Sequence, residues 1–322
     1  MSRPALVLPI LLGAAGLSLG IAVALGSVPL TPTETLAVLT GGGEPLHRTL
    51  ILELRLPRAL AAFATGGLLA VAGALMQVLL RNPLADPYVL GLSGGAAVGA
   101  LLSMLAGLGM AMVSGAAFAG ALLSTLIVFG LAHGTGSWTP TRLLLTGVVV
   151  AAGWGAFISF LLAISPTTEL PGMLYWLMGD LSHAHSPWPA WIVLVVVVLV
   201  AMPLGRSLNV LARGPLQAAA LGVAVRPLEW TLYGVAALVT ATAVTMAGSV
   251  GFVGLIVPHM LRLVLGNDQR LILPASALAG GILLTLADTL ARTLIAPQQL
   301  PVGVITAMLG VPVFLYLLYR SR

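Results

Sequence analysis

Asp288 is a carboxylate within an apolar run, three positions after Thr285 and four before Arg292. An acid at that depth is costly next to hydrocarbon and is a functional candidate by default, as a proton carrier or as an i, i+4 partner orienting the arginine. Glu169 is a second acid that a coupled transporter could use. His259 follows Pro258 with no cysteine and no second histidine nearby, so its spacing makes no metal site. His183 and His185 flank Ala184 between two apolar runs, placed either to reach a metal ion arriving from outside or to be solvated loop histidines. An intramembrane hydrolase would need catalytic pairs, and the chain has neither HExxH nor clustered carboxylates. All 14 basic residues are arginine. Without lysine there is no phosphate-binding P-loop and no Schiff base. Without cysteine there is no disulfide, thiolate metal site or thiol nucleophile.

The stretch GSVGFVGLIVPHMLRLVLGNDQR, Gly248 to Arg270, shows what must hold such groups. It is apolar enough to enter a bilayer, yet Pro258, His259 and Arg262 interrupt it and Asn267, Asp268 and Arg270 close it. Each polar group costs several kcal/mol in hydrocarbon unless buried in protein or exposed at a surface. The segment therefore reads as a short, broken span that ends at a wet surface, as transport machinery requires.

Composition gives the class. Apolar residues make up 59% of the 322 and charged residues 7%, where soluble domains carry about 25% charge. Apolar runs at 5–27, 57–80, 88–108, 110–132, 142–164, 188–205, 228–248, 251–265, 272–295 and 302–319 predict an all-α, polytopic membrane protein of about ten spans. The eighth run is too short to cross alone. Residues 1–26 resemble a signal peptide without a convincing cleavage site, which predicts an uncleaved first span.

With the N-terminus inside, Arg3, Arg81, Arg142, Arg206, Arg213, Arg226, Arg262, Arg270, Arg320 and Arg322 face the cytoplasm. Arg48, Arg55, Arg58 and Arg292 face outward. That asymmetry satisfies the positive-inside rule with both termini cytoplasmic, and it makes the basicity topological rather than a sign of nucleic acid. Opposite starting sides for spans two to five and seven to ten permit an inverted repeat. The outer connection 165–187 carries Glu169, Asp180, His183 and His185 around the apolar patch Met173–Met178, where Trp176 suits a gate or an interface anchor. The inner connection, RGPLQAAALGVAVR, predicts a short amphipathic helix started by Gly214-Pro215 and ended by Gly222.

Three segments now become recognisable: RLPRALAAFATGGLLAVAGALMQVLLRNPLADPYVLGLSGGAAVGA (Arg55 to Ala100), the stretch from Gly248 to Arg270, and LPVGVITAMLGVPVFLYLL (Leu300 to Leu318). They resemble the FecCD-type family, membrane subunits of ABC importers for iron chelates, heme and vitamin B12. The resemblance covers nearly the whole chain, in order and with the family's spacing. It implies a single transmembrane permease domain over 1–322 that homodimerises in the bacterial inner membrane. It also implies two ATPase subunits below the dimer and a periplasmic binding protein above it.

QAAALG is similar to the family's coupling motif, which assigns Gln217, Ala218, Ala219, Leu221 and Gly222 to ATPase coupling in a helix at about 213–225; glutamine stands here where an acid is often found. Arg55, Arg58 and Arg292 match positions that meet acidic residues of the binding protein, and arginine pairs bidentately with carboxylates. Interfacial snorkelling is the other reading of the three. RNPLADP is similar to the family's inner turn, where Arg81 would satisfy helix-ending carbonyls while Asn82 and Asp86 cap the next helix around Pro83. Pro258, His259 and Asp288 complete the structural and gating set. The implied function is ATP-driven import of a bulky metal chelate through the homodimer interface, with ATP used by the partner subunit, no covalently bound cofactor, and no substrate bond made or broken. An ion-coupled secondary transporter using Asp288 is the alternative. Siderophore, heme and cobalamin permeases share these motifs, so the cargo stays open.

Overall fold

The computed structural model describes residues 3–133, 139–184 and 186–320. Among these residues eight helices are long and apolar enough to cross a bilayer, and two shorter apolar helices accompany them. The chain runs through α1 (Arg3–Ala24), α2 (Pro32–Leu39), α3 (Pro45–Arg48), a π-helical turn (Thr49–Arg55), α4 (Leu56–Leu79), a 3₁₀ turn (Pro87–Leu90), α5 (Leu92–Leu105), α6 (Met110–His133) and α7 (Pro140–Ile164). It continues through α8 (Leu170–Met178), α9 (Trp188–Leu211), α10 (Pro215–Ala220), α11 (Val225–Ala247), α12 (Val253–Leu265), α13 (Gln269–Thr293) and α14 (Val302–Arg320). Each of the ten predicted apolar runs overlaps one of the ten apolar helices.

Boundaries differ where proline and glycine act unexpectedly. The second span starts early, because α3, the π turn and α4 are continuous from Pro45 to Leu79. Pro57 has no N–H to donate, and just before it the register widens, with Leu56 N–H bonding the Ile51 carbonyl five residues back. The third span starts late: Gly91, at φ 70°, separates the 3₁₀ turn from α5. Pro203 does not end α9. Pro258 likewise lies inside α12 instead of interrupting it.

The two short helices, α5 with 14 residues and α12 with 13, rise about 20 Å each against a hydrocarbon core of about 30 Å. Each follows a deeply buried long helix, α4 or α11, at matching places in the two halves, in keeping with an inverted repeat. Helix α4 is the axis of the fold, buried almost without a break from Ala59 to Leu79. Its Ala/Gly-rich sequence explains why, since small residues let neighbouring backbones close in. Gly66 lies against the Gly280 carbonyl of α13, and Gly280 against that of Gly66. Further along, Pro258 leaves the Gly254 carbonyl without its i+4 donor. Gly73 sits directly on that oxygen, where any Cβ would overlap it.

Candidate functional site

Polar side chains gather at the two ends of the bundle. At one end Asp288 is 1% exposed and holds two arginines. Arg58 Nε donates to Asp288 Oδ1 at 3.0 Å and Oδ2 at 3.1 Å, and its Nη2 donates to Oδ1 at 2.8 Å. Arg292 Nε lies 3.0 Å from Oδ2, the i, i+4 pair that the sequence predicts. Arg58, 230 residues away in sequence, is the partner that spacing could not reveal. Its Nη1 donates to Gln299 Oε1 at 2.8 Å.

Arg55 has a different task. Its Nη1 donates to the Val23 and Ala24 carbonyls at 3.1 and 2.8 Å, and its Nη2 to Val28, which ties the end of α1 to the π turn. The three arginines line a cavity of about 230 Å³ with Glu53 and Gln299. Arg55 and Arg292 are each 5% exposed, so neither snorkels to an interface. Nothing in their local sequence separates the three arginines, whereas in the fold Arg58 is the most open of them.

The connection 165–187 forms α8, with Met173 fully buried under it and Trp176 against the α5 and α6 packing. His183 is 60% exposed and its Nδ1 lies 3.6 Å from Asp180 Oδ2. His185 lies outside the described residues.

At the opposite end of the bundle RNPLADP folds as a turn, and Arg81 meets a helix-ending carbonyl through its backbone N–H, which donates to Val78 at 3.2 Å. Arg81 itself takes a left-handed φ of 50°. The Asn82 N–H then donates to the Gln77 carbonyl at 3.2 Å, so the backbone closes α4. Asn82 Oδ1 accepts from Leu84 N–H at 2.9 Å in an Asx turn across Pro83, and Asp86 Oδ1 caps the 3₁₀ turn from Tyr88 N–H at 2.8 Å. Burial pushes the Asp86 carboxyl up to about 6 despite that bond.

Arg262, which the sequence places at a wet boundary, folds back onto α4. It donates to Gln77 Oε1 and, at 3.3 Å, to the Ala74 carbonyl. Gln77 Nε2 donates to the Leu255 carbonyl at 3.1 Å. His259 is half-buried, its Nδ1 without a hydrogen-bond partner among the described residues. Asp268 caps α13, and the Arg270 guanidinium, helped by Asn209, holds its carboxyl well below the usual range.

Between α9 and α11 the predicted surface helix is present but shorter than 213–225. Gly214 and Gly222, at φ 127° and 80°, bracket α10, with Leu221 as its C-cap. Ala218 is buried, while Leu216 is 86% and Leu221 70% exposed, with Gln217, Ala219 and Gly222 open beside them. Val223 N–H donates to the Ala218 carbonyl at 3.0 Å, which turns the chain sharply into α11.

A bundle with apolar flanks, polar ends and a buried axial helix defines a multi-pass membrane permease. The model of the FecCD transport family matches residues 14–320, and the chain belongs to that family. The hemin transport system permease protein HmuU of Yersinia pestis is 43% identical over 280 residues, covering 84% of this chain and 83% of that one. The vitamin B12 import system permease protein BtuC of Vibrio cholerae is 41% identical over 282 residues, covering 86% and 85%. A solved metal-chelate-type ABC transporter in an inward-facing conformation superposes with a TM-score of 0.85 at 28% identity, covering 97% of this chain and 98% of that one.

Proposed function

We propose that this chain is the permease subunit of an ATP-driven importer that carries a bulky metal chelate from periplasm to cytoplasm through a homodimer interface. The observation that carries the reading is α10. A short helix with exposed Leu216 and Leu221, hinged by two positive-φ glycines on the inner face, is shaped to receive a push from a separate subunit. Two ATPase subunits supply that push, and hydrolysis stays with them. The outer cavity provides the opposite contact. Its three guanidinium groups outnumber the carboxylates of Asp288 and Glu53, leaving positive charge for an acidic side chain of a periplasmic binding protein. The named relatives point to hemin or vitamin B12 as the class of cargo, and a siderophore fits the same frame.

Ion coupling through Asp288 finds less support. A carboxylate gripped by both Arg58 and Arg292 has no free face for a cycling proton. The test is uptake into vesicles holding trapped ATP and no ion gradient, with and without the ATPase subunit. Uptake is expected only with the ATPase, and Gly222→Trp is expected to abolish it in a folded complex. Gradient-driven uptake by the chain alone would overturn the reading.

A further inference from the structure

The inner face holds a second feature beside α10. A cavity of about 560 Å³ opens between the inner turn, the end of α9 and the α12–α13 connection, with Arg81, Arg213 and Arg262 in its wall. Its carboxylate, Asp268, is already engaged by Arg270 at 2.8 Å and Asn209 at 2.9 Å. Arg262 is turned toward Gln77 and Ala74. Arg81 and Arg213, by contrast, are exposed, and their side chains make no hydrogen bond or ion pair among the described residues; Glu229 of α11 is the acid that feels the Arg81 charge.

A further observation marks this wall as unfinished. Arg81 occupies a left-handed backbone position that glycine fills at least cost, and such outliers persist where the side chain is put to use.

We propose that this cavity is a second docking point for the ATPase subunit and accepts a carboxylate-bearing segment of that partner. The inference rests on the importer reading above. Arg213 of the cavity wall adjoins Gly214, where the α10 segment begins, so this wall is continuous along the chain with the segment that exposes Leu216 and Leu221. Two unpaired guanidinium groups suit a carboxylate in bidentate geometry.

The test measures association of the detergent-solubilised permease with its ATPase across a salt series. Arg81→Glu with Arg213→Glu is expected to weaken binding at least tenfold and to flatten its salt dependence. Arg81→Gly is expected to weaken binding while raising the melting temperature, since it relieves the backbone and removes the charge. Unchanged affinity and salt slope in the double variant would overturn the proposal. So would unchanged ATPase binding with loss of a stabilisation that phosphatidylglycerol vesicles give the parent chain, which would assign the cavity to a lipid headgroup. No complex with the unaltered permease would defeat the importer reading itself, and this inference with it.

Discussion

Two guanidinium groups share the Asp288 carboxylate, so its removal strands more than one charge. Asp288→Asn leaves buried Arg292 and half-buried Arg58 facing a neutral amide. Breaking a buried charged pair this way costs about 3–5 kcal/mol, seen as a lowered denaturation midpoint. ATP-driven uptake by the folded fraction is expected to persist. Full stability with uptake and its pH dependence both lost would make Asp288 a proton carrier instead. Asp86 behaves in the opposite electrostatic sense. Its carboxyl titrates at about 6 in the fold against 3.8 ordinarily, so the native state holds the proton more tightly. The stability this confers is complete below about pH 4 and is lost as pH rises through about 6. Asp86→Asn keeps the acceptor for Tyr88 without the charge. It should raise the melting temperature at about pH 8 and leave it unchanged at about pH 4; an equal effect at both would refute the assignment.

Among the elements, the crossing of α4 over α12 is decided by one oxygen. Pro258 frees the Gly254 carbonyl, and Gly73 covers it so closely that no Cβ fits. Gly73→Ala must therefore push two backbones apart, with an expected loss of about 1–3 kcal/mol or of folding altogether. Gly234 provides the control, because a Cβ on that face of α11 meets nothing within 4 Å. Gly234→Ala is expected to be neutral or stabilising by up to about 1 kcal/mol. Equal thermal shifts for the two substitutions would show that the close approach is not the constraint.

For the whole molecule, the proposed docking of one partner at the arginine cavity and another at α10 requires the two to face opposite sides of the membrane. The absence of cysteine makes this measurable on a clean background. Gln298 and Ala224 are both exposed, on the α13–α14 and α10–α11 connections. A membrane-impermeant maleimide should label Gln298→Cys in intact cells and Ala224→Cys only after permeabilisation. The reverse pattern would invert the topology and both docking assignments with it.

The sequence alone determined the ten apolar helices, because twenty or so apolar residues in a row have no other stable home, and it determined α10, because Gly214-Pro215 and Gly222 punctuate the chain locally. It also gave the Asp288–Arg292 pair, since i, i+4 spacing is a local property. What it could not reveal was Arg58 on the same carboxylate, Arg55 spent on the α1 carbonyls, Gln77 meeting Arg262, or the cavity where Arg81 and Arg213 stand unpaired. Those contacts join residues 27 to 230 positions apart in the chain. They were decided by how closely glycine-bearing helices pack around α4, and that packing exists only once the bundle has closed.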